Sequence, residues 1–286
     1  MSKVLMPTSL ELLVQLLHDN PTARVLAGGT DLFVRLRTCQ SSHTPDLVSL
    51  ARVPELQNIA EESGFLSIGA ATPLQRILAH ELVRTHAPLM LQALGTIGGP
   101  AIRNMGTLGG NICTASPAGD SLPPLYLLDT RLELASLSGT RVVSIADFIH
   151  GPGKTVLSPG EVLTRILVPK TEPCAKEHFV KVGRRAALSI AVVSFAGQGQ
   201  LDEHGCIAAL NMAWGSVGPT VMRLPSLETA LIGTRVDHDM LGHVQAAVRS
   251  GLHPMSDLRA SAQYRLRVAA NLTCSFVEAL GEKSRP

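Results

Sequence analysis

Asn104-Met105-Gly106-Thr107-Leu108-Gly109-Gly110-Asn111-Ile112, continued by Cys113-Thr114-Ala115-Ser116-Pro117-Ala118-Gly119-Asp120, is the stretch around which the rest of the chain is read. Three glycines within five residues, flanked by an Asn and hydroxyl side chains, give a backbone that can turn sharply and approach a ligand, because glycine has no Cβ to collide with it. A phosphate suits such a loop. A second loop of the same kind lies earlier, at Ala27-Gly28-Gly29-Thr30-Asp31-Leu32, between an apolar run, Val25 to Ala27, and a helix-like stretch from Asp31 to Leu36. Backbone N–H groups bared by glycine at a helix start form an anion site, and two of them could hold the two phosphates of a dinucleotide.

These two loops, the intervening Ile102-Arg103-Asn104, the Ala115-Ser116-Pro117-Ala118-Gly119-Asp120 segment and the later Lys181-Val182-Gly183-Arg184-Arg185 follow one another in a recognisable order. The chain resembles, from about residue 5 to residue 280, the FAD-binding medium subunit of the molybdenum hydroxylases, the xanthine dehydrogenase and carbon monoxide dehydrogenase family. The resemblance implies an α+β protein. A two-subdomain PCMH-type FAD-binding domain at 1–170 (subdomains about 1–55 and 56–170) would precede a C-terminal α+β domain at 175–286, of the carbon monoxide dehydrogenase flavoprotein C-terminal type. It also implies FAD as cofactor, and as partners a molybdopterin-containing large subunit, a small [2Fe–2S] subunit and NAD or another electron acceptor.

Residue by residue, the resemblance lines the dinucleotide with Val25, Leu26, Ala27, Gly28, Gly29, Thr30, Asp31 and Leu32, of which Gly28, Gly29 and Thr30 would reach phosphate oxygens. Asp31 is either part of that set or a cap for the following helix. Thr107, Gly109, Gly110 and Asn111 match the second phosphate-side loop, and Asp120 matches a carboxylate that reaches cofactor hydroxyls; without the family match Asp120 reads as a turn residue. Ile97 and Leu163 stand where relatives set side chains against the ring system, and would otherwise be core residues. Lys181 corresponds to a lysine near the flavin ring, where a cation favours the anionic reduced flavin; its plain alternative is a solvated strand lysine. Two departures stand out. Leu188-Ser189-Ile190-Ala191 lacks the acidic residue that relatives commonly carry there, which bears on the approach of NAD, and Ala101 replaces a common glutamine before Ile-Arg-Asn.

Composition sets the outer limits. With 286 residues, 45% of them apolar, the chain can build real cores. A formal charge of +2 from 25 basic and 23 acidic residues, mixed along the sequence, gives no concentrated field for nucleic acid or an anionic membrane. No membrane span or export signal is expected, and the default compartment is the cytoplasm. Cys39, Cys113, Cys174, Cys206 and Cys274 are widely spaced without C-x-x-C, which argues against a disulfide framework, a zinc site or an iron–sulfur cluster on this chain. Any metal redox centre belongs to a partner. Aromatic residues make up only 3%, so a flavin ring would be enclosed mostly by aliphatic and backbone groups.

Along the chain, Thr8-Ser9-Leu10-Glu11 is a capping-box pattern, and Leu10, Leu13, Val14 and Leu17 keep helical spacing until Asn20-Pro21. Strands are expected at Arg24 to Ala27, Asp46 to Leu50, Phe65 to Gly69, Arg131 to Ala135 (turn at Ser138-Gly139) and Val162 to Val168. Helices are expected after Thr72-Pro73, read as N-cap and N1 proline, at Ala87 to Leu94 and at Pro123 to Leu128. Pro169-Lys170-Thr171-Glu172-Pro173 reads as the domain boundary. Beyond it come β-like runs (His178 to Val182, Ser189 to Phe195, Ile207 to Met212) and then helical patterns (Ser226 to Leu231, Asp237 to Arg249, Ala260 to Leu280).

Other patterns fall away on inspection. Gly151-Pro152-Gly153-Lys154-Thr155 imitates the end of a P-loop, but position 148 is Phe instead of Gly. His238 and His243 are off the spacing of helical metal ligands. Asn271-Leu272-Thr273 fits the glycosylation triplet inside a helical pattern. No Ser-His-Asp order presents a hydrolytic site, so no catalytic residue and no metal ligand is assigned. The alternative to the relay subunit is a self-contained flavin-dependent oxidase or reductase of the PCMH fold, which would carry its own substrate domain and often a histidine tethering the flavin. A non-catalytic module with the loops as plain turns would be colourless.

Overall fold

Ser9 opens the first helix by accepting the Leu12 N–H at 3.2 Å, and Leu13, Val14 and Leu17 form the buried stripe of the resulting helix Leu10–Asp19. The structure, a computed structural model, describes residues 3–38, 45–170 and 174–281. Cys39 and the Thr171-Glu172-Pro173 part of the expected boundary lie outside the described residues.

The chain forms two compact units. The first comprises Met1–Ala87, Ile97–Ala115 and Asp129–Lys170, and the second Pro88–Thr96, Ser116–Leu128 and Thr171–Pro286. Two stretches that the sequence reading places in the N-terminal domain, 88–96 and 116–128, therefore pack with the second unit.

In the first unit, strands β1 (Val4–Leu5), β2 (Arg24–Leu26) and β3 (Leu47–Ser49) make a parallel sheet in the order β1-β3-β2. A five-stranded antiparallel sheet follows: β4 (Ile59–Glu62), β5 (Phe65–Gly69), β6 (Arg131–Ser136), β7 (Gly139–Ser144) and, after the small hairpin β8 (Ile149–Gly151) and β9 (Lys154–Thr155), the central β10 (Val162–Pro169). Its order is β4-β5-β10-β6-β7. Helix Leu10–Asp19 shares a core with Val48, Leu50, Val53, Leu56, Ala71, Ala135 and Val162. The P-loop imitation is the β8–β9 turn, so no helix follows it. Ile145–Phe148 forms a short helix capped by Ser144.

The second unit is built on the antiparallel sheet β11 (Lys176–Gly183), β12 (Ala191–Leu201), β13 (Ile207–Gly215) and β14 (Met222–Arg223). Phe195, Trp214 and Phe276 meet with ring centroids 5.5 and 5.8 Å from Phe195, a tilted arrangement that aromatic quadrupoles favour. The Trp214 indole N–H finds Thr273 Oγ1 at 3.1 Å, so a buried donor is satisfied inside the apolar layer formed with helices Pro225–Leu231, His238–Gly251 and Ala262–Gly281. The helix Pro88–Gly95 joins at the β11 edge, where the Gln92 amide accepts from the Phe179 N–H at 2.9 Å and donates to the Glu177 carbonyl at 3.4 Å. One side chain thus substitutes for a neighbouring strand. Asn271 and Thr273 lie within the last helix, with Thr273 fully buried.

Candidate functional site

Strand β2 delivers the chain to Ala27-Gly28-Gly29-Thr30, which turns into the helix Leu32–Thr38. Gly28 is required by space. A Cβ there would overlap the Met105 carbonyl oxygen and come within 2.9 Å of the Gly106 α-carbon. Gly29 is required by conformation, since its φ of +71° lies in the left-handed region that side chains avoid. The helix resumes with Phe33 N–H to Gly29 O and Arg35 N–H to Asp31 O, both 3.1 Å. The N–H groups of Gly28 through Leu32 find no acceptor among the described residues, so this strand-to-helix turn offers a run of unclaimed donors.

The second motif is a helix start, not a loop. Gly109 and Gly110 lie in the first turn of Leu108–Thr114, whose N-cap Thr107 accepts the Gly110 N–H at 3.0 Å. Leu108 N–H goes to Thr72 O at 3.4 Å, Gly109 N–H to Ala70 O at 3.0 Å and Asn111 N–H to Thr107 O at 3.0 Å. The amides of Leu108, Gly109, Gly110 and Asn111 are thus already claimed by the protein. The expectation of two equivalent amide cradles is corrected accordingly: the first turn has free donors, whereas the second contributes shape. The start of the preceding helix is corrected too. Pro73, not Thr72, occupies the N-cap of Leu74–Leu78, and the buried Thr72 hydroxyl has no partner.

Fold topology brings the two motifs together within the first unit. Besides the Gly28–Met105 approach, the Thr114 hydroxyl donates to Asp31 Oδ2 at 3.2 Å, and Arg35 Nε lies 2.7 Å from the same oxygen. Asp31 is therefore a bridge between the two motifs; its carboxylate is engaged by Arg35 and Thr114, not by the first turn of the helix it precedes. Arg103 holds the adjoining turn, donating from Nη1 to the carbonyls of Ile97 at 3.3 Å and Gly98 at 3.0 Å, and from Nε to Gln75 Oε1 at 3.2 Å. Ile97 is half-buried, and Leu163 is buried in β10 beside a bulge against β6. Arg103 and Thr114 were absent from the sequence-derived site. The Ile-Arg-Asn motif was the one available signal for the arginine, while nothing local distinguishes Thr114.

In the second unit Asp120 and Lys181 form an ion pair of 2.6 Å with side chains only 8% and 10% exposed. Lys181 Nζ also donates to Thr96 O at 3.1 Å. A solvated strand lysine is thereby excluded, and so is a simple turn role for Asp120. Burial pushes the Asp120 carboxyl up to about 6, against the pull of the Lys181 hydrogen bond and charge. Asp120 Oδ1 is buried without a partner, as is the hydroxyl of Ser194, which stands opposite Lys181 across the β11–β12 ladder. Such an orphaned carboxylate oxygen is an acceptor held ready for a hydroxyl or N–H donor. After β11, Arg185 Nη2 donates to Leu188 O at 2.6 Å, and the connection presents Leu188 and Ile190 to solvent.

No group of three or more metal-ligating side chains is found among the described residues, where His238 and His243 belong to the helix His238–Gly251 and its start. No helix among the described residues is long and apolar enough to cross a membrane. In the first unit a free-donor turn against a closely packed helix start is chemistry for holding a polyanionic ligand, and in the second a buried carboxylate–lysine pair offers an acceptor to a hydroxyl.

Comparison with known proteins gives that ligand a name. A family model described as the FAD binding domain in molybdopterin dehydrogenase matches residues 1–171, and one described as the CO dehydrogenase flavoprotein C-terminal domain matches residues 178–280. The chain is 33% identical over 265 residues to the xanthine dehydrogenase FAD-binding subunit of Escherichia coli O157:H7, covering 91% of this chain and 89% of that protein. It is 35% identical to the glyceraldehyde dehydrogenase medium chain of Sulfolobus acidocaldarius, over 93% of each. Among solved structures, quinoline 2-oxidoreductase from Pseudomonas putida 86 superposes with a TM-score of 0.91 at 29% identity, over 98% of this chain and 97% of that one. The chain belongs to the FAD-binding subunits of the molybdenum hydroxylases, oxidoreductases of the xanthine and carbon monoxide dehydrogenase kind, and its cofactor is FAD.

Proposed function

We propose that the chain is the electron-transfer subunit of a multi-subunit molybdenum hydroxylase, working with a molybdopterin-containing large subunit and a small [2Fe–2S] subunit and passing electrons to NAD or another acceptor. The observation that carries the reading is the run of unclaimed N–H groups from Gly28 to Leu32. Donors in this arrangement fit a pyrophosphate, and Asp120 Oδ1 fits a hydroxyl-rich linker that donates to it.

In this reading Val25 to Leu32 hold the pyrophosphate side of FAD, and Thr107, Gly109, Gly110 and Asn111 shape the wall beside it. Asp120 accepts from cofactor hydroxyls, Lys181 keeps a positive charge toward the ring, and Ile97 and Leu163 exclude water from it. When bound, FAD supplies a centre that exchanges electrons singly or in pairs, which matches one-electron clusters to a two-electron acceptor. The protein's part is to bind it, orient it and fix the charge around it. The exposed Leu188 stands where relatives commonly carry a carboxylate, there or next to it, so acceptor choice is read as depending on groups other than an acid at that loop.

The test is co-expression with the neighbouring genes and purification of the assembly. Equimolar FAD in the heat-released supernatant, with molybdenum and iron co-eluting, is the expected result. Full turnover by this chain alone would sink the relay reading in favour of a self-contained flavoenzyme, as would an assembly without flavin. Omitting NAD and oxygen in turn then identifies the acceptor.

A further inference from the structure

The connection from 252 to 261, between the last two helices of the second unit, combines two properties that seldom coincide. It is firmly anchored, yet it presents bare apolar side chains. Leu252 and Pro254 are buried, and Asp257 knots the turn: Oδ1 accepts the N–H groups of Arg259 at 2.8 Å and Ala260 at 3.2 Å, and Asp257 N–H returns to Ala260 O at 3.1 Å. The buried Arg265 ties this knot to the sheet, with Nη2 on Asp257 Oδ1 at 2.7 Å and Nη1 on the carbonyls of Val192 and Ser216 at 2.8 and 2.7 Å. On this frame Leu258 is 98% exposed and Met255 78% exposed. Ser256 Oγ accepts the Ala262 N–H at 2.9 Å, so the turn runs directly into the wall of a cavity of about 520 Å³ lined by Arg249, Ser261, Gln263, Tyr264, Leu266 and Arg267. No carboxylate lines it among the described residues, and Arg267 lies over the Tyr264 ring at 5.7 Å.

We infer that this turn and cavity form a docking surface for another protein chain of the assembly, one whose face offers an apolar socket rimmed by carboxylates. The inference rests on the reading of the chain as one subunit among several. Charge complementarity argues for that occupant. Arg249 and Arg267 line the cavity, and on the adjoining turn Arg259 follows the exposed Leu258 directly, while Asp257 is already matched by Arg265 and Arg259. An anchored loop also loses little conformational freedom on binding, so burial of Leu258 and Met255 is retained as affinity.

Peroxide footprinting tests the surface, because a free methionine thioether is oxidised to the sulfoxide and a covered one is protected. Met255 is expected to oxidise at least tenfold more slowly in the purified assembly than in the isolated full chain. Leu258→Asp is expected to weaken assembly at least tenfold, with the flavin content and melting temperature of the isolated chain unchanged. Arg249→Glu combined with Arg267→Glu is expected to slow association and flatten its salt dependence. Equal Met255 oxidation in an assembly that forms normally, with Leu258→Asp assembling as well as wild type, would overturn the docking surface and leave the relay reading standing. Failure of the wild-type chain to co-purify with any other subunit would overturn both. Concentration-dependent protection of Met255 in the isolated chain, or binding of the chain to anionic vesicles lost in Leu258→Asp, would reassign the surface and overturn this occupant.

Discussion

Lys181 and Asp120, 61 positions apart in sequence, share a 2.6 Å contact inside the second unit with almost no access to water. Removing one partner of such a pair leaves an uncompensated buried charge, at a cost of about 3–5 kcal/mol. In the unfolded chain Asp120 loses its proton near 3.8 and in the fold near 6, so between these values the native state holds the additional proton. The stability contributed by this group is therefore largest below the unfolded value, falls as pH rises through that window and is flat above it. Lys181→Met is expected to raise the Asp120 pKa further and to lose most stability above pH ~6, where the carboxylate would be charged and alone. Thermal unfolding of variant and wild type across pH 4 to 8 checks this; an equal loss at both ends would show that the charge is not the cause.

Gly28→Ala places a methyl group on the Met105 carbonyl. Overpacking of this kind costs about 1–3 kcal/mol, and here it also parts the free-donor turn from the Thr107 helix. The expected outcome is a lower melting temperature of the deflavinated protein together with loss of flavin on gel filtration. Flavin loss with an unchanged apoprotein melt would show instead that the glycine serves only ligand access.

Thr107→Ala removes the cap on Gly110 N–H and is expected to cost about 1 kcal/mol, whereas Thr107→Ser retains the acceptor and is expected to behave as wild type. Urea unfolding midpoints at constant m separate the two. Equal midpoints for Ala and wild type would remove Thr107 from the support of that helix.

Burial pushes the Cys113 thiol up to about 12, one helical turn from the glycine pair. A thiol of that pKa is almost entirely protonated at pH 8, and the thiolate is the reactive form. Cys113 is expected to resist iodoacetamide at pH 8 in the native chain and to react readily in urea. Peptide mass mapping reads the result, and rapid native alkylation would place the sulfur in an open, polar setting.

The elements that the sequence disclosed are those whose signal is local. Ser9 and the Leu10 to Leu17 spacing announce their helix, and Phe65 to Gly69 and Val162 to Val168 announce strands. Short segments with mixed signals were missed, such as the helices Glu81–His86 and Pro100–Met105, where Gly99 and Pro100 read as loop although proline at the first helical position is favourable. The family motifs pointed to both glycine-bearing segments. They could not show that one set of amides is free and the other spent, because the acceptors Ala70 and Thr72 come from a distant segment. The same holds for Asp31 with Thr114 and for Lys181 with Asp120, pairs that only the closed chain creates.

The segments 88–96 and 116–128 are emitted by the ribosome long before β11, β12 and β13, the strands on which they settle. A polypeptide stopped near 171 would bear two apolar helices, Pro88–Gly95 and Leu122–Leu127, without the strands β11, β12 and β13 against which they pack. The N-terminal flavin portion cut at the family-model border is therefore expected to aggregate when expressed by itself, and nascent chains are expected to depend on holdase protection until the last third has been translated.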